Sequence, residues 1–214
     1  MDRIYIGNLR KGDIIIMSKG ESASSGLFTH AAIISQIHKT YRPYILEVTA
    51  LGFERSLYQP HAGCDYVYRL KGALNEEIAG KAATIGNIWV TCYPDTEYRG
   101  HTHTLNPGVY NTSSILTSFF GDSSYGNKAM DYAEYLHKSC QSSPPRELRR
   151  SARFFSGAIC AYLPIALYQA AMGSVDCIGT MEIDARKSLP RDLARYLDNN
   201  ILWVCLGTAT NRRT

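Results

Sequence analysis

The chain has 214 residues, 45% apolar and 20% charged, with a net charge of +4. That composition suits one folded domain with a buried core and excludes a disordered tract or a collagen-like repeat. The longest apolar stretch, 158–168, contains Pro164 and falls far short of a bilayer span. Near the N-terminus the only apolar run is 14–17, too short for the core of a secretory signal. The expectation is a protein made in the cytoplasm that leaves its cell, if at all, by a signal-independent route.

In chain order, a turn at Gly12-Asp13 precedes a short strand at 14–17. Residues 19–29 (KGESASSGLFT) are polar and rich in Gly and Ser, which predicts a loop. Residues 31–37 (AAIISQI) predict a central strand, 44–49 (YILEVT) the next, and 52–56 a short continuation of the meander. Residues 65–70 (DYVYRL) alternate and stop at Lys71-Gly72. The period then changes. Asn75 can cap a helix with Glu76 and Glu77 in its first turn and Ile78, Ala82, Ile85 and Trp89 along one face. Residues 93–112, rich in Pro, Gly, Thr and Asn, predict an irregular insertion. Short helices at 113–120 and 127–137 come next. An apolar helix follows at 159–172, ended by Gly173, then a helix with Pro190 at its first position, then a last strand at 201–206. Strands first and helices after argue for the α+β class, with a mostly antiparallel sheet packed on helices in a single domain.

The six cysteines, Cys64, Cys92, Cys140, Cys160, Cys177 and Cys205, form no C-x-x-C pair, so zinc-finger spacing is absent. His101 and His103 form an H-x-H in the insertion without a third ligand nearby, and no metal or other cofactor is assigned. No phosphate loop or GxGxxG is present. The basic stretch 138–153 lacks interleaved aromatics and reads as a solvated loop rather than a nucleic-acid surface.

Cys160 opens the apolar helix. A helix start presents unpaired N–H groups and a positive dipole end, which stabilise a thiolate or an oxyanion. A cysteine in an apolar helix also fits a plain core position. A thiolate nucleophile needs a base, and His30 lies where the Ser/Gly loop gives way to an apolar strand; a strand-end histidine without a role fits as well. His38 and His137 read as solvated. The base needs an orienting group. Glu47 sits in an otherwise apolar strand directly after the one that His30 opens, where it either pairs or points to solvent. Cys, His and carboxylate together would make a thiol-protease triad, recognised by geometry rather than chain order.

These residues fall into motifs. They are KGDIII at 11–16, Thr29-His30-Ala31-Ala32-Ile33-Ile34, Ile45-Leu46-Glu47-Val48, Arg69-Leu70-Lys71, Cys160-Ala161-Tyr162-Leu163-Pro164, Tyr168-Gln169-Ala170-Ala171 and Ser188-Leu189-Pro190-Arg191-Asp192-Leu193. In that order they resemble the circularly permuted branch of the NlpC-type papain-like superfamily, over 11–71 and 155–206. Two departures stand out: Ala161 follows the nucleophile where Ser is usual, and Pro164 comes early in the helix.

The resemblance implies a permuted papain-like fold with Cys160 as nucleophile, His30 as base and Glu47 as its orienting group. It implies a thioester intermediate and no cofactor. The implied substrate is an amide bond in a peptidoglycan stem peptide, in a protein acting as a secreted antibacterial effector. An immunity protein or a secretion-machine component would be its partner. Two alternatives stay open: a thiol acyl hydrolase or acyltransferase working on lipids or proteins, and a catalytically silent binding module on the same fold.

Overall fold

In a computed structural model of the chain, the described residues are 2–18, 28–37, 42–49, 52–61, 64–91, 95–98, 101–104, 160–176, 179–185 and 187–212. The predicted helices at 113–120 and 127–137, the basic stretch 138–153, and His38, His137, Cys92, Cys140 and Cys177 lie outside them, as do 19–27 of the Ser/Gly loop.

The strands are β1 (Arg3–Tyr5), β2 (Ile14–Ser18), β3 (Phe28–Ile37), β4 (Pro43–Thr49), β5 (Gly52–Leu57), β6 (Asp65–Leu70), β7 (Asp95–Tyr98), β8 (His101–Thr104) and β9 (Trp203–Thr210). They form one sheet in the order β1-β9-β6-β2-β3-β4-β5-β8-β7. Every pairing is antiparallel except that of β1 with β9. Among the described residues three α-helices accompany it: α1 (Ala73–Thr91), α2 (Tyr162–Asp176) and α3 (Pro190–Asn199). The class is therefore α+β, as the order of periods along the chain predicts.

Alternation along the strands makes two unlike faces. Ile14, Ile16, Ala31, Ile33, Leu46, Val48, Tyr66 and Tyr68 pack against Ile85 and Trp89 of α1, most of α2, and Leu193 and Leu197 of α3. The opposite face carries a smaller cluster: Ile15, Ala32, Ile34, Ile45 and Val67, covered by Ile6, Leu9 and Tyr58.

The predicted helical face of α1 is buried at Ala82, Ile85 and Trp89. The helix starts at Ala73, so Asn75 lies inside its first turn rather than capping it, and Gly72, at φ 99°, makes the preceding turn. Helix α2 begins at Tyr162, not 159. Pro164 is thus its third residue, within the turn whose N–H groups have no helical acceptor, so the missing donor is tolerated. Gly173 leaves the helical region at φ 79°, ψ 174°, where the sequence predicts the stop. Pro190 is the first residue of α3, and the Asp192 carboxylate accepts the Leu189 N–H at 3.0 Å.

Two further expectations are corrected. Residues 95–98 and 101–104 are not irregular: β7 and β8 pair antiparallel and extend the sheet past β5. The alternating Thr residues of DTEY and HTHT suit extended backbone, and the Gly and Pro around them obscure that pattern. The final strand runs to Thr210, four residues past its predicted end. Strand β1 has no local signal, because it exists only through its pairing with the other end of the chain.

The KGD and RLK motifs meet. Arg69 holds Asp13 through two hydrogen bonds, Nε to Oδ1 and Nη2 to Oδ2, each 2.7 Å. The Arg10 N–H adds a third to Oδ2 at 2.7 Å. The Tyr168 hydroxyl donates to the Gly12 carbonyl at 2.7 Å, which ties α2 to the start of β2. Gly12 itself has φ +86°, and a Cβ there would lie 2.5 Å from Ala79 of α1, so no larger residue fits.

Candidate active site

Strands β3, β4 and β5 and the residues just before α2 supply the site. The register pairs Ala32 with Glu47. His30 lies two residues before Ala32 and shares its face, so imidazole and carboxylate stand diagonally across neighbouring strands. His30 Nε2 is 2.7 Å from Glu47 Oε2. Their side chains are 23% and 14% exposed, sheltered yet reachable. On the far side of β4, the Ser56 hydroxyl donates to Glu47 Oε1 at 2.5 Å.

A bulge parts Phe28 from His30. Met17 pairs with His30 and Ser18 with Phe28, which leaves Thr29 as the extra residue on β3. Regular alternation would put Phe28 and His30 on one face. With the bulge, Phe28 packs edge-on against Tyr66 in the helix-side core, while His30 turns to the other side.

Cys160 sits in the turn two residues before α2 and is 3% exposed. Its thiol donates to the Thr29 carbonyl, the bulge residue, at 3.8 Å. It also lies against the His30 ring, close enough to shift its ionisation. Nε2 is committed to Glu47, so Nδ1 is the ring nitrogen left for the sulfur. Ala161, the departure after the nucleophile, is fully buried in the helix-side core, where a hydroxyl would need its own partner.

The ionisation of the pair follows from these contacts. Burial alone would lower the pKa of His30. Hydrogen bonds to Cys160 and to Glu47, with the charges those groups carry, outweigh burial and raise it to about 9. Burial would raise Glu47; the hydrogen bonds from His30 and Ser56 and the imidazolium charge outweigh it and hold the carboxyl below its ordinary range. The site therefore favours a protonated imidazole between a carboxylate and a sulfur.

All three residues singled out from the sequence come together. Ser56 was not singled out. Its place on the face of Glu47 follows from the register between β4 and β5, which neither strand shows by itself. His101 and His103 lie on β8, and no group of three or more metal-ligating side chains occurs among the described residues. No described helix is long and apolar enough to cross a membrane. A cavity of about 510 Å³ opens elsewhere, between α3 and the segment before it, lined among others by Glu182, Lys187, Arg195 and Tyr196. None of the three residues lines it, so the chemistry is argued from their mutual contacts.

Compared with known proteins, the chain matches no family model, no curated protein and no solved structure.

Proposed function

We propose that the chain is a cysteine hydrolase of the permuted NlpC-type papain-like kind. It cleaves amide bonds in peptidoglycan stem peptides and serves as an antibacterial effector, with an immunity protein or a secretion-machine component as partner. The observation that carries this reading is the continuous contact from Cys160 through His30 to Glu47, made by side chains from distant parts of the sequence. The order of the motifs along the chain supports the fold-family part of the proposal.

The chemistry follows from the geometry. Cys160 passes its proton to His30 and its sulfur attacks the amide carbonyl. Backbone N–H groups at the start of α2, which have no acceptor within the helix, receive the oxyanion. As the C–N bond breaks, His30 returns the proton to the leaving amine, and a thioester remains. Water, deprotonated by His30, then attacks the thioester and releases the acid and the thiol. Glu47 holds the imidazole in one tautomer and balances its charge throughout.

Digestion of purified sacculi tests the proposal. The wild-type protein should release new muropeptides, and Cys160→Ala should release none. Untouched sacculi together with fatty acid released from phospholipid would move the reading to a lipid acyl hydrolase. A Cys160 that reacts with iodoacetamide no faster than the other five cysteines would leave only a binding module.

A further inference from the structure

We infer that Ser56 is a positioning residue for this site: its hydroxyl fixes the far oxygen of Glu47 so that the near oxygen stays aimed at His30. The inference rests on the reading of Cys160 as a nucleophile activated by His30.

Three observations carry it. First, the two oxygens of Glu47 are held from opposite sides. Oε2 meets His30 of β3 at 2.7 Å, and Oε1 accepts from Ser56 of β5 at 2.5 Å. A glutamate side chain has three rotatable bonds, and one hydrogen bond leaves the carboxylate free to turn. Two, drawn from the strands on either side of β4, fix its plane. Second, the register leads to this contact. Ile45 pairs with Ser56 and Glu47 with Glu54, so Ser56 occupies the diagonal position beside Glu47 on the same face.

Third, Glu54 stands directly opposite Glu47 and is itself 8% exposed. A hydroxyl facing a carboxylate can only donate, so Ser56, not this neighbour, supplies the donor from β5 to Oε1. The groups around Glu47 are thus His30 from β3, and Glu54 and Ser56 from β5. His103 of β8 pairs in register with Glu54. Cys160 stands beyond His30. The chain of contacts runs Ser56, Glu47, His30, Cys160. Lowering of the Glu47 pKa by the Ser56 hydrogen bond agrees with it.

The test needs no identified substrate. The rate at which iodoacetamide alkylates Cys160 is followed by mass spectrometry from pH 4 to 10. Ser56→Ala should slow alkylation at neutral pH about threefold and move the midpoint of the profile up by about half a unit. Ser56→Thr keeps the hydroxyl on a β-branched frame and should restore the wild-type profile. Ser56→Val has the shape of that variant without the hydroxyl and should not, so this pair carries the test even if the alanine variant folds poorly. Superimposable profiles for Thr and Val would overturn the inference while leaving Cys160 as nucleophile. A wild-type Cys160 no more reactive than the other cysteines would overturn the hydrolase reading and this inference together.

Discussion

Glu47 on β4 and Asp13 just before β2 are both carboxylates held by a basic side chain and further donors, yet their acidities are displaced in opposite directions. Glu47 is partly exposed, and its hydrogen bonds win over desolvation, so its pKa falls. The Asp13 side chain is 1% exposed, and desolvation wins over the bidentate hold of Arg69, so its pKa rises. Burial, not the number of partners, decides the sign. Four residues of β3, roughly 13 Å, separate the two regions: Asp13 pairs beside Ile34, whereas His30 marks the site. The Asp13–Arg69 pair, with Tyr168 beside it, locks α2 onto the sheet. The Glu47–His30 pair at the same sheet's other end is left a solvent-facing side on which to react.

The sharpest way to break this comparison is to disable each region and read both activity and stability. His30→Ala should reduce amide hydrolysis by about a thousandfold or more, measured as muropeptide release, and leave the melting temperature within a few degrees of wild type. Loss of the fold in that variant would remove the distinction. Arg69→Leu should do the reverse. It leaves Asp13 buried without its partner and should cost about 3–5 kcal/mol in urea unfolding, while the folded fraction keeps its rate. Joint replacement of Asp13 and Arg69 by leucine should recover most of that loss, because the desolvation cost disappears with the charges.

Tyr168→Phe removes a buried hydrogen bond and leaves the Gly12 carbonyl without its donor. Denaturant titration should register a loss of about 1–2 kcal/mol.

The effects of pH differ in sign between the two carboxyls. His30 has a raised pKa, so its contribution to stability is complete below 6.5 and is lost as pH rises through about 9. Hydrolysis should fall across the same upper range, since a neutral imidazole cannot protonate the leaving amine. Glu47 has a lowered pKa, so its contribution is present above 4.5 and is lost as pH falls through its folded value. Asp13 behaves oppositely: its contribution declines as pH rises from 3.8 through its raised value. Melting curves from pH 3 to 10 on wild type, Glu47→Gln and Asp13→Asn should separate these terms. Identical curves for the two variants would erase the contrast.

Much of this was legible in the primary structure, because it depends on neighbours a few residues away. The apolar runs at 14–17, 31–37 and 44–49 and the alternation at 65–70 locate four strands, and the helical face of Ile78, Ala82, Ile85 and Trp89 locates α1. Gly173 and Pro190 mark a helix end and a helix start, through backbone angles that any solvent would impose. Cys160, His30 and Glu47 stand out as chemistry-bearing residues at element edges or inside apolar runs.

Other features depend on residues far apart in the chain, and tertiary structure alone decided them. Strand β1 has no pattern of its own and is held by its pairing with β9. The bulge at Thr29 is a mismatch between two strands, invisible in either one. The partners of Asp13 and Glu47, the register that sets Ser56 beside Glu47, and the opposite displacement of the two carboxyls all follow from which side chains are brought close and how much water is removed. Local sequence sets backbone preference over a few residues; desolvation and long-range hydrogen bonding set what the assembled groups can do.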